Sequence, residues 1–185
     1  YEFANGRYRL ARVYDGEEFN PALRAPLAAP GVMAKKGEYL LAIDGRDLTD
    51  ATDVYEALEN KAGKQVTVRL GPTADGKGSR EVVVVPVGNE FGLRQRAWAE
   101  DNRRRVAEAT GGKAGYVHVP DTFSGGWREF ARYYYAQADK AGLVVDERFN
   151  HGGAITDFLV REMAKPLILG SRTRHGSDYR LPTSA

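Results

Sequence analysis

The stretch LVVDERFNHGG, residues 143–153, constrains this chain more than any other. Leu143, Val144 and Val145 read as a buried strand. Asp146, Glu147 and Arg148 follow, then a turn carrying Gly152 and Gly153. Ile155, Phe158, Leu159 and Met163 then recur at helical spacing. Strand, polar turn and helix form the layout on which α/β proteins build ligand and active sites. A helix start there points free backbone N–H groups at an incoming oxygen, and glycines let a ligand approach the backbone. The same glycines also suit a plain tight turn, and spacing does not separate the two uses.

The neighbouring segments extend this pattern. Residues 114–119 (AGYVHV) read as a strand stopped by Pro120-Asp121. Residues 124–140 are amphipathic, with Trp127, Phe130, Ala131 and Tyr134 on one face and Ser124 as the expected N-cap. A helix over 154–163 ends shortly before Pro166, and 167–169 start another strand. The order β-α-β-α-β predicts a mostly parallel sheet with right-handed crossovers. That sheet reads as unfinished at Ala185, so 113–185 is expected to be the first part of a longer α/β domain. The chain does not begin with Met, so Tyr1 need not be the natural start.

The first half reads differently. Residues 1–3 fit a strand remnant, Asn5-Gly6 a turn, and 7–14 a strand with Tyr8 and Leu10 on one face. Residues 15–37 are mainly loop, dense in Gly, Pro and Ala. A compact strand at 39–43 meets the sharp turn Asp44-Gly45, and a short helix at 53–59 follows. Residues 65–87 form an expected antiparallel hairpin around Asp75-Gly76. From 89 to 109 there is no Pro and only Gly92, so a linking helix is expected, with Phe91, Ala97, Trp98 and Val106 as a loose apolar stripe. Gly111-Gly112 closes it.

Composition narrows the function classes. The 185 residues are 42% hydrophobic and 28% charged, which supports a packed core rather than wholesale disorder. A net charge of +2 gives no case for nucleic-acid binding. Zero cysteines exclude disulfides and thiol chemistry. No apolar run reaches the roughly 18–20 residues that span a bilayer, so no membrane association is expected. Asp146 and Glu147 are adjacent on a strand end and point to opposite sides, so they make no close carboxylate pair, while Arg148 can brace the turn by pairing with one of them. His118, His151 and His175 lie too far apart in sequence to suggest a metal site, and no cofactor is expected.

Two motifs in the first half, Gly37-Glu38 and the run 40–43 ending in Asp44-Gly45, resemble the PDZ signature. A PDZ domain takes up an extended peptide as an added strand beside a helix. The expected groove therefore runs along 7–13 against 53–58, with Arg7, Tyr8, Arg9 and Leu10 as candidate substrate-binding residues. The family's carboxylate-binding loop is replaced by Ala4-Asn5-Gly6-Arg7, which speaks against capture of a free C-terminus.

Taken together, GYVHVPDT at 115–122, the aromatic helix after it and LVVDERFNHGG resemble the tricorn protease family, relatives of the C-terminal processing peptidases. The resemblance implies an α+β PDZ domain at 1–88, a linking helix at 89–112 and part of a catalytic α/β domain at 113–185. It further implies a cytoplasmic serine peptidase acting on short peptides as a homo-oligomer, hexameric in well-known members. The family's oxyanion hole carries over to the backbone N–H of Gly152 or Gly153, with the family's first turn glycine replaced by His151, itself a candidate substrate contact. The nucleophilic serine and catalytic histidine are expected outside these residues: Ser171, Ser177 and Ser184 lack the family's glycine-rich context. The chain alone is therefore expected to be inactive. A non-catalytic peptide-binding or assembly module is the alternative.

Overall fold

The computed structural model describes residues 1–17 and 19–182. The chain divides into two compact units, residues 1–97 and 98–185, with the boundary inside one long helix.

The first unit is an antiparallel sheet. Its strands are β1 (Glu2–Ala4), β2 (Arg7–Arg9), β3 (Tyr39–Ile43), β4 (Arg46–Asp47), β5 (Val66–Gly71) and β6 (Arg80–Val84). The order is β1-β2-β3-β5-β6, with β4 folded back on β3. Every residue of β3 is buried, as its unbroken apolar run requires. The short helix α1 (Val54–Ala57) begins at Asp53, whose carboxylate accepts from the Tyr55 N–H at 2.8 Å. Leu40, Ile43, Leu48, Val54, Val66, Val68 and Leu70 form the centre of the core. The expected hairpin at 65–87 is present, in register from Val66↔Val84 to Leu70↔Arg80.

β2 is shorter than the strand expected over 7–14. The ladder ends at Leu10, whose N–H and C=O pair with Glu38 and Gly37. Helix α2 (Phe91–Ala109) starts where Asn89 Oδ1 accepts from the Phe91 N–H and ends at Gly111 and Gly112, both at positive φ. In the first unit Leu93, not the expected Phe91, is buried.

The second unit joins β7 (Ala114–His118) and β8 (Gly142–Asp146) in parallel, connected by α3 (Ser124–Tyr134) and a single 3-10 turn, Tyr135–Gln137. Val117, Val119, Phe130, Tyr134 and Leu159 form its core. The last residue is contributed by α4 (Thr156–Met163). The expected third parallel strand is absent from this pair. Instead β9 (Leu169–Ser171) pairs antiparallel with β10 (Tyr179–Leu181) as a separate hairpin. A short loop around Gly176 closes this local pairing with little entropy loss, whereas a parallel partner must come from far along the chain. Among the described residues, no helix is long and apolar enough to cross a membrane.

Candidate functional site

The register of β7 and β8 sets His118 beside Asp146, so the carboxyl ends of both strands face one loop cluster. The loops after them are laced together. Val119 N–H donates to Asp146 O at 2.9 Å, and the Asn150 side-chain amide donates to Val119 O at 3.0 Å. His151 N–H donates to Pro120 O at 3.0 Å, and Thr122 N–H to Gly152 O at 2.8 Å. Thr122 O accepts from both Ala154 and Ile155, at 2.8 and 3.0 Å.

These bonds fix the glycine turn and decide which amide is available. Gly152 N–H is taken by Asn150 Oδ1 at 2.6 Å. Gly153 forms a parallel bridge with Thr122 through the groups of its two neighbours. In such a bridge the residue's own N–H points to the opposite side, and no acceptor among the described residues takes it. Gly153 sits at φ 145 and Gly152 at φ 82, conformations that favour glycine. Phe149, a non-glycine at φ 63, adds local strain to the same turn.

Asp146 anchors the turn from beneath. Its side chain is 6% exposed and accepts from Arg148 Nε at 2.9 and 3.0 Å and from Arg148 Nη2 at 2.5 Å. Tyr116 Oη donates to the same carboxylate at 2.6 Å. The Arg148 guanidinium holds the Asp146 carboxyl well below the usual carboxylate range; burial acts against this and loses. Burial, reinforced by the Asp146 bond, pushes the Tyr116 phenol up to about 12. Asp146 is therefore a fixed anion committed to Arg148, and proton transfer is not its role. Glu147 beside it is exposed. The Arg148 guanidinium lies 4.8 Å from the centre of the Trp98 ring, which meets His118 and Phe149 edge-on at 5.0 and 5.6 Å. His118 is buried, with Nε2 2.9 Å from Arg148 O.

Sequence reasoning missed Asp121. Ser124 makes no cap bond; Asp121 Oδ1 accepts from the N–H groups of Phe123 and Gly126, both at 2.8 Å. Asp121 followed two residues later by the start of an apolar periodic run is the signal that could have found it.

The sequence profile described as "Tricorn protease PDZ domain" matches residues 1–89. Tricorn protease homolog 1 of Streptomyces coelicolor is 37% identical over 164 residues, covering 89% of this chain and 15% of that protein. A tricorn protease homolog of Saccharolobus solfataricus is 35% identical over 182 residues, covering 98% and 16%. A crystal structure of the tricorn protease superposes with a TM-score of 0.87 at 29% identity, over 98% of this chain and 17% of that one. The chain belongs to the tricorn protease family. It spans about a sixth of the length of these relatives.

Within this tricorn-family chain, the remaining candidates fall as follows. Arg7 Nη1 donates to Leu48 O at 2.8 Å, Tyr8 Oη to Thr52 O at 2.8 Å, and Arg9 Nε to Glu2 Oε1 at 2.7 Å; Leu10 is buried. These four residues tie the first unit together. The backbone of Arg7–Arg9 is paired with β1 throughout, and Tyr8 and Arg9 are also paired with β3, so β2 lies between two strands and leaves no edge for an added one. Among the described strands the sheet ends at β1 and at β6, and beside β1 the Tyr1 ring lies 6.2 Å from that of Tyr55 in α1. His151 is exposed in the glycine turn. His175 is exposed in the loop of the β9–β10 hairpin, remote in sequence from both strand ends. Ser171 lies in β9 and Ser177 in the loop that follows; among the described residues no serine is bonded to a histidine, and Ser184 falls outside them. No group of three or more His, Asp or Glu suited to a metal occurs among the described residues.

Proposed function

We propose that this chain forms part of a serine peptidase of the tricorn type. In this reading residues 1–88 are a PDZ-like domain for binding or docking peptides, 89–112 a linking helix, and 113–185 the first part of the catalytic α/β domain. The Gly153 N–H donates to the developing oxyanion, and His151 contacts substrate from the same turn. The supporting observation is an unengaged Gly153 amide flanked by the occupied N–H groups of His151, Gly152, Ala154 and Ile155. A fixed donor that need not reorganise lowers the barrier to carbonyl attack by about 3 kcal/mol. The nucleophilic serine and its histidine are supplied from outside these residues. Cytoplasmic location and a homo-oligomer, possibly a hexamer, follow from the family likeness.

In the first unit, an extended peptide adds at the free edge of β1 beside α1. This replaces the groove along 7–13, because β2 is already paired on both edges.

Fluorophosphonate labelling with mass mapping tests the proposal, applied to this 185-residue chain and to the natural protein that contains it. The expected result is no label on the chain alone and one labelled serine elsewhere in the natural protein. Label within residues 1–185 overturns the assignment. Absence of label on both favours a non-catalytic peptide-binding or assembly module.

A further inference from the structure

We propose that an apolar depression beside the glycine turn receives the bulky apolar side chain of a peptide whose carbonyl faces Gly153. This rests on the reading of that turn given under Proposed function. The depression holds about 390 Å³ and is lined by Phe123, Ser124, Trp127, Ile155 and Phe158. Its volume is at the low end for ligand clefts, suited to one large side chain and its flanking backbone.

The floor is built and the rim is open. Trp127 stacks on the fully buried Phe130 at 5.8 Å and meets Phe158 edge-on at 4.8 Å. Phe123 and Phe158 leave 57% and 51% of their surfaces exposed. Two aromatic residues half in water around a rigid aromatic floor gain from an apolar guest. The Ser124 hydroxyl and the Trp127 indole N–H are the polar side-chain groups in the lining, and neither is charged. A charged guest would lose its hydration there without an ionic partner, so the lining selects against Lys, Arg, Asp and Glu.

Connectivity places this depression next to the free amide. Phe123 directly follows Thr122, the bridge partner of Gly153. Ile155 is two residues from Gly153, a Cα separation of no more than about 7.6 Å. The amides of Ala154 and Ile155 share the Thr122 carbonyl, so wall and donor belong to one hydrogen-bonded unit. The Gly153 N–H points away from Thr122, so in this proposal a carbonyl bound there reaches the aromatic floor with an adjacent side chain laid across Ile155.

The test uses the 185-residue chain with 15N-labelled glycine and blocked tripeptides, N-acetyl-Ala-Xaa-Ala-amide, with Phe, Ala or Lys at the centre. The Phe peptide is expected to bind at least about tenfold tighter than the others and to shift the Gly153 amide resonance. Phe123→Ser and Phe158→Ser, at half-exposed positions and checked for retained fold by circular dichroism, are expected to abolish the preference. Equal affinity for all three peptides overturns the proposal; if Gly153 still shifts, the reading of the turn stands. A Phe preference that survives both substitutions also overturns it. A preference lost in both variants but without a Gly153 shift supports the depression as the side-chain site and rejects Gly153 as the carbonyl donor. Self-association that is lost in Phe158→Ser assigns the depression to a second copy of the chain and overturns the proposal.

Discussion

A Cβ placed on Gly153 would lie 2.2 Å from the carbonyl oxygen of Thr122, well inside van der Waals contact. Gly152, its neighbour, has open space where its Cβ would go. Gly153→Ala is therefore expected to destabilise the second unit by about 3 kcal/mol, combining overlap with backbone strain. Gly152→Ala is expected to cost about 1 kcal/mol, from positive φ alone. Thermal unfolding of the two variants checks the order. Faster hydrogen exchange at Ala154 and Ile155 in the Gly153 variant alone would locate the damage.

The Asp146–Arg148 pair makes the second unit sensitive to acid. The native carboxyl titrates below its unfolded value, so its contribution is fully present above about pH 4 and is lost as the pH falls through the native value. Stability against urea should drop steadily below about pH 4. Asp146→Asn should flatten that drop and lower neutral-pH stability by about 2 kcal/mol, because Arg148 and Tyr116 lose a charged acceptor. Equal acid sensitivity in the variant would reject the pair as its source.

At alkaline pH the sign reverses for Tyr116. Its phenol is raised to about 12, so its share of stability is intact below about pH 10 and fades as pH rises through 12. Tyr116→Phe removes that component and costs about 1–2 kcal/mol at neutral pH through the lost bond to Asp146. Absorbance titration should show one fewer tyrosine titrating near pH 12 in this variant.

Asp121 caps α3 through one oxygen shared by two amides. Asp121→Ala is expected to destabilise by about 1–2 kcal/mol, against a few tenths for Ser124→Ala, whose hydroxyl makes no cap bond. Urea denaturation of both variants measures the contrast.

Arg7 holds β2 to the chain after β4 through the Leu48 carbonyl, and Leu48 is fully buried. Arg7→Ala should lower the stability of the first unit by about 1–2 kcal/mol while leaving affinity for an extended peptide at the β1 edge unchanged. A selective loss of peptide binding with unaltered stability would return Arg7 to the groove.

Local pattern carried much of the architecture. The unbroken apolar run at 39–43, the alternation at 66–70 and the helical spacing of Trp127, Phe130 and Tyr134 each settle one element and its buried face. Pairing partners were less legible. An apolar strand at 167–169 reads the same whether it joins a distant parallel neighbour or its own hairpin, because periodicity carries no address for the partner. The edge position of β1 was hidden for the same reason: three residues, Glu2, Phe3 and Ala4, are too few to show alternation. At the candidate site the glycines were visible as residue types. Their difference was not, since it depends on Asn150 Oδ1 occupying one amide and on a bridge turning the other outward.

Two helices meet at a single oxygen. α3 begins two residues after Thr122, and α4 begins directly after the pair of amides that the Thr122 carbonyl accepts. A tilt of either helix axis must rotate that peptide plane, and with it the direction in which Gly153 presents its N–H. The aim of the donor is thus a mechanical property of the helix pair, and repacking far from the turn will register first as a change of angle.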